Sequence, residues 1–256
     1  MRKIPVAGLL VILTLGLAAC SSTSPEERLV QQLANTDKKT VYEKAEALFA
    51  KKKYTQARKL FSFLYDTFPN DPIGHKAALR VADTYYQYND RTNLTEARLR
   101  YRDFANRFPN DPDRDYALLM LGNTYTKRKL HPDRDLNETR EAVKAYRQLL
   151  NLYPNSKYAP QARKKLAEVR TVLAEHEWQV AHFYARNKMW LATEWRLEYL
   201  KEHFPEYPRM AEVNAALAEA KKNYKAHEER IRKEFEKFMA KHKKKEKKKK
   251  AREKKD

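Results

Sequence analysis

His176 and Glu177 open a pattern that zinc hydrolases use, in which a second histidine four positions after the first puts both rings on one helix face. Position 180 is Val180, and the next histidine, His182, stands six residues from His176. Six residues are about 240° round a helix, so the rings do not share a face and no metal site is expected. Ser62 and Ser156 have no triad-like surroundings, and Ser62 falls inside a helical stretch. Glu138/Glu141 and Glu194/Glu198 stand three and four residues apart beside Arg and Lys, the spacing of an ordinary charged helix surface. Only four glycines occur, two of them within the first twenty residues, which excludes a glycine-rich phosphate loop. Neither an enzyme nor a cofactor is expected.

The single cysteine, Cys20, excludes a disulfide framework and a cysteine-based zinc site. Its surroundings point to another chemistry. Arg2 and Lys3 precede an apolar stretch from Ile4 to Gly16, and Leu17-Ala18-Ala19 leads directly into Cys20. Thirteen apolar residues fall short of the roughly 20 that span a bilayer but suit a secretory signal. Small residues before the cysteine resemble the lipobox of bacterial lipoproteins, where cleavage precedes a cysteine that takes a diacylglycerol and palmitate-type acyl chains. Residues 1–19 then read as a removed signal and 20–39 as a lipid-anchored tether. Ser21 in place of Asp resembles the sorting signal for the outer membrane in enteric bacteria.

The elements that follow are helical. Ala, Leu, Glu, Lys and Arg dominate and β-branched residues are scarce. Four aromatic–proline steps punctuate the chain: Phe68-Pro69, Phe108-Pro109, Tyr153-Pro154 and Phe204-Pro205. Four, seven and eleven positions before each aromatic stand Leu64/Phe61/Ala57, Phe104/Tyr101/Ala97, Leu149/Tyr146/Ala142 and Leu200/Leu197/Thr193. Each set is one stripe on a helix that ends at the proline. Upstream helices carry a small residue and a large one three positions on: Ala45/Leu48, Ala82/Tyr85, Gly122/Tyr125 and Ala181/Tyr184. Spacing between the paired helices predicts insertions around Asn89–Leu94 and Leu130–Asn137. Tyr158–Glu177 reads as a further helix, and another follows Pro208.

This is the tetratricopeptide pattern, and it predicts an all-α, right-handed solenoid of about five helix pairs over residues 40–225. A helical extension is expected over 226–240 and a Lys-rich tail, disordered or helical, over 241–256. The first-helix positions expected to line a binding groove are Tyr42, Glu46 and Phe49, then Leu79, Asp83 and Tyr86, then Tyr116, Leu119 and Asn123. Such a face stacks on the aromatic side chains of an extended peptide, with Lys39 and Lys76 available to a terminal carboxylate. Trp190 and Trp195 flank the fourth unit's turn and Arg196 precedes the core Leu197; Trp190 and Arg196 have the composition of an interface hot spot, against the alternative of Trp195 as core and Arg196 as a solvated neighbour.

An acylated address ahead of degenerate tetratricopeptide repeats resembles the BamD family of outer-membrane protein assembly factors, formerly called competence lipoproteins. Local strings carry the resemblance: Asp115-Tyr116-Ala117-Leu118-Leu119-Met120-Leu121-Gly122, Asp133-Arg134-Asp135, Tyr153-Pro154-Asn155-Ser156 and Leu173-Ala174-Glu175-His176-Glu177. The run Phe68-Pro69-Asn70-Asp71-Pro72 and Leu121 depart from the family's usual residues. The resemblance implies a non-enzymatic subunit of the β-barrel assembly (BAM) complex, lipid-anchored on the periplasmic face of the outer membrane. It implies N-terminal repeats that receive unfolded β-barrel proteins, and C-terminal repeats that dock on the barrel-forming, BamA-like subunit beside other BAM lipoproteins. Two other readings compete: an envelope repeat lipoprotein coordinating cell-division or peptidoglycan factors, and a polyanion-binding lipoprotein linked to DNA uptake.

The net charge of +20 divides unevenly: Arg2 and Lys3 give +2, residues 241–256 give +8, and about +10 remains for the rest. The tail suits anionic lipid or polysaccharide. It has no aromatics interleaved with its lysines for base stacking, so nucleic acid is not expected.

Overall fold

In the computed structural model, residues 35–128, 131–132 and 136–252 are described. The signal segment, Cys20, most of the tether and Asp133–Asp135 lie outside them. All regular structure among the described residues is helical: α1 (Lys38–Ala50), α2 (Tyr54–Thr67), α3 (Pro72–Tyr86), α4 (Arg91–Arg107), α5 (Arg114–Thr126), α6 (Asn137–Leu152), α7 (Ala159–Arg186), α8 (Trp190–His203) and α9 (Met210–Arg252).

The aromatic–proline steps end α2, α4, α6 and α8 in one way. Phe68, Phe108, Tyr153 and Phe204 each donate a backbone N–H to the carbonyl four residues back, at 3.0, 3.0, 2.7 and 2.9 Å. Each aromatic has left the helical region, as a residue before proline must. Helices α3 and α4 start on side-chain caps: Asp71 accepts from the Ile73 N–H, and Asp90 from the Asn93 N–H, both at 2.9 Å. Lys38 reaches Asp71 and ties the start of α1 to the start of α3. Bonds from Lys38 and from the Ile73 amide hold the Asp71 carboxyl below the ordinary range.

The sequence stripes are the core. Phe61, Leu64, Tyr101, Tyr146, Leu149 and Leu200 are fully buried, and so are Ala57, Ala97 and Ala142. Fully burying one such large side chain stabilises by roughly 1.5–3 kcal/mol. The small first-helix residues permit close approach: a Cβ on Gly122 would lie 2.3 Å from the Tyr146 ring. Substantial contacts join consecutive helices, with a smaller contact between α1 and α3. This chain of neighbours is how a repeat solenoid buries its core.

Three expectations change in detail. Tyr158–Glu177 and the Ala181/Tyr184 segment are one unbroken 28-residue helix, α7, because nothing between them breaks a helix. Four helix pairs therefore precede α9 among the described residues. The insertion expected around Asn89–Leu94 is largely helical, since Asp90 caps α4 and Arg91 already belongs to it. Thirdly, α9 runs 43 residues through both the predicted extension and most of the Lys-rich tail, so no break separates 226–240 from 241–252.

Candidate functional site

The first-helix face is built around one buried carboxylate. Asp83 of α3 is 3% exposed. Its Oδ1 accepts the hydroxyls of Tyr101 from α4 at 2.5 Å and Tyr116 from α5 at 2.8 Å. Its Oδ2 accepts from Arg80 Nη1 at 2.8 Å. The same guanidinium forks onto Glu46 of α1, at 2.7 Å from Nε and 2.6 Å from Nη2. It also lies 3.9 Å from the ring centre of Phe49. Tyr42 stands edge-on to Phe61 with ring centres 5.5 Å apart. Tyr116 continues the wall to Tyr158, again 5.5 Å away. One network thus crosses four helices and includes Glu46, Phe49, Asp83 and Tyr116, with Tyr42 one turn along α1 from Glu46.

The electrostatics follow from burial. Tyr42, Tyr101 and Tyr116 have phenols held above their ordinary pKa, first by burial and then by the carboxylates beside them. Burial alone would lower Arg80, but its bonds to Glu46 and Asp83 outweigh that and keep it above the usual value. The network is fully paired and offers no free base or nucleophile. What the face presents outward is ring surface: Tyr42, Phe49 and Tyr116, with Tyr86 beside them, are all partly exposed.

Tyr86 and Asn123 stand beside the network rather than in it. The Lys127 ammonium sits 4.1 Å from the Tyr86 ring centre and donates to the Tyr86 carbonyl. Asn123 accepts the Tyr146 hydroxyl at 2.9 Å and so braces α5 on α6. Leu79 and Leu119 are buried core residues. Lys39 is exposed, and Lys76 lines a separate hollow with His75, Arg107 and Phe108. Sequence reasoning passed over Arg80 and Tyr101's hydroxyl. Arg80 had a findable signal, standing three residues before Asp83 on one helix face.

The C-terminal pair places its candidates differently from one another. Arg196 of α8 bonds Glu177 of α7 at 2.7 Å, and Glu177 is 8% exposed. Trp190 is half-buried and lines a 260 Å³ hollow between α7, α8 and α9 with Trp178, His182 and Leu197. The outward aromatic is Trp195, 67% exposed, on a stripe with Leu191 and Tyr199 at four-residue steps. Helix α8 is therefore apolar on two faces, one buried by Leu197 and Leu200 and one open.

His176 and Glu177 have structural partners. His176 Nδ1 lies 2.6 Å from the Pro132 carbonyl, and Glu177 takes Arg196. Among the described residues no three His, Cys, Asp or Glu side chains converge as a metal site would, and no helix is long and apolar enough to cross a membrane.

Residues 34–238 match a family model described as YfiO, outer membrane lipoprotein. Among curated proteins, the chain is 37% identical over 87 residues to the outer membrane protein assembly factor BamD of Xylella fastidiosa, covering 34% of this chain and 30% of that protein. It is 27% identical over 191 residues to BamD of Neisseria gonorrhoeae, covering 72% of each chain. BamD of Vibrio cholerae is 34% identical over 74 residues, 29% of this chain and 31% of that one. The matched part thus spans about 30% of the Xylella relative but nearly three quarters of the Neisseria one. With the family model covering all of α1 to α8 and the larger part of α9, this chain belongs to the YfiO (BamD) family of outer membrane lipoproteins.

Proposed function

We propose that this chain is a non-enzymatic scaffold of the BAM complex, anchored through acylated Cys20 to the periplasmic face of the outer membrane. Its first-helix face, from Tyr42 to Asn123, receives extended segments of unfolded β-barrel proteins. Its C-terminal pair, including Trp190 and Arg196, docks on the barrel-forming subunit. The observation that carries this reading is the Glu46–Arg80–Asp83–Tyr116 network in a chain of this family. A binding face whose polar groups are already paired holds its rings rigid, so an aromatic-rich peptide stacks without ordering the receptor. The family match over 34–238 favours this reading over division-linked or DNA-uptake functions.

Two substitutions sets test the two halves. Tyr42→Ala, Phe49→Ala and Tyr86→Ala together should weaken binding of a labelled C-terminal peptide from a β-barrel protein by about tenfold or more at unchanged helicity; full affinity contradicts the groove. Trp190→Ala with Arg196→Ala should lower co-purification of the barrel-forming subunit, and unchanged recovery removes those two residues from the interface.

A further inference from the structure

Helix α9 is anchored over its first half. Val213, Leu217 and Ala220 are buried, Tyr224 is half-buried, and Lys221 pairs with Glu198 at 2.7 Å. These positions step by four, three and four residues, which keeps one seam on one side of a helix. The same step continues past the last contact with α8: Ile231, Phe235, Phe238 and His242. There the seam has no neighbour among the described residues. Ile231 is 50% exposed, and Phe235 and Phe238 are each 61% exposed. Phe238 and His242 contact each other, with ring centres 5.7 Å apart.

The flanks of this open seam are predominantly cationic, with Glu234 and Glu246 also bordering it. Arg232 and Lys243 lie on one side of it, and Arg230, Lys237 and Lys241 on the other. Between Arg230 and Arg252 there are thirteen Lys or Arg residues against three Glu, a net +10. Most of the cations are lysines, which act as strongly hydrated point charges with no fixed hydrogen-bonding fork. That suits a diffuse anionic surface better than a shaped acidic pocket. A second copy of the helix along this seam would bring like charges together at every turn. Isoleucine and phenylalanine at the centre, with lysine and arginine at the edges, is the composition of a helix that lies in a bilayer interface.

We propose that the distal half of α9, from Arg230 to Arg252, is an anionic-membrane-binding helix. Ile231, Phe235 and Phe238 enter the acyl boundary, and the flanking lysines and arginines engage phospholipid phosphates. At 1.5 Å per residue it lays roughly 35 Å of helix along the surface. The helix would fix how the repeat body stands over the membrane. The inference rests on α9 alone and survives even if the groove assignments fail.

The test uses the full chain carrying Cys20→Ser, so that a cysteine introduced for labelling is the only one. An environment-sensitive fluorophore is attached after Phe235→Cys, on the seam, or Ala240→Cys, on the opposite side. Vesicles of phosphatidylcholine with phosphatidylglycerol should blue-shift the first label and leave the second near its aqueous value. Vesicles of phosphatidylcholine alone, which control for adsorption through any other apolar segment, should shift neither. Lys243→Gln, Lys244→Gln, Lys245→Gln and Lys247→Gln together should weaken the anionic-vesicle response about a hundredfold or more while helicity is retained. An unshifted seam label on anionic vesicles, an equal shift on zwitterionic ones, or a shift that grows with protein concentration without vesicles would each overturn the proposal. The last of these would instead mean pairing of two copies.

Discussion

Asp83 shows how much of the first-helix face depends on single groups. It holds three donors from three helices while almost wholly buried. Asp83→Ala strands the Tyr101 hydroxyl and half of Arg80's partners, and should cost about 2–3 kcal/mol in urea unfolding. The tyrosines give a second, pH-dependent signature. Unfolded phenols ionise near pH ~10, whereas burial and Asp83 hold those of Tyr101 and Tyr116 higher. A raised folded pKa on a phenol means stability is complete below the unfolded value and falls as pH rises through the folded one. Urea midpoints should therefore drop above pH ~10, with the tyrosinate absorbance of Tyr101 and Tyr116 appearing only as the chain unfolds. Smooth titration of all tyrosines in the folded protein would contradict this. The network itself was invisible in the sequence, because its members come from four helices and pair only after the repeats stack. Only the Arg80/Asp83 spacing is local.

At the scale of elements, most of the fold was legible. Aromatic–proline steps and fixed offsets back from them named the buried stripe of every second helix, since helix geometry converts spacing into a face. What periodicity could not settle was the outward face of α8. With Leu191, Trp195 and Tyr199 on one side and Leu197 and Leu200 on the other, the helix is apolar around much of its circumference. Spacing then marks no preferred side, and Trp195, readable from spacing as core, is the exposed one. Two substitutions probe the helix junctions. Gly122→Ala would normally gain up to about 1 kcal/mol in a helix interior. Here the new Cβ meets the buried Tyr146 ring at 2.3 Å, so a loss of about 1–3 kcal/mol is expected. Lys52 and Lys188 turn the chain with φ of 59° and 58° between the paired helices of the first and fourth units. Lys52→Gly removes that strain and should raise stability by up to about 1 kcal/mol, read from the denaturation midpoint; a loss would show the turn prefers a side chain.

On the scale of the whole molecule, the charge and the fold separate. The repeat body closes its core by the middle of α9, and the basic stretch that follows is exposed through residue 247. Removing residues 241–256 should shift the thermal midpoint by less than about 2 °C, while a large drop would make the tail part of the folded body. The proposed function belongs to the body: a rigid aromatic face toward the N-terminus, an open aromatic stripe on α8, and family membership that joins them to outer-membrane lipoproteins. Affinity purification of the full-length, tagged chain from envelope membranes, with the barrel-forming subunit quantified by mass spectrometry, bears on that claim most directly. The account predicts recovery of the barrel-forming subunit with the wild-type chain and a marked fall with Trp190→Ala and Arg196→Ala combined. Recovery of division factors, or of no barrel-assembly subunit at all, would contradict it.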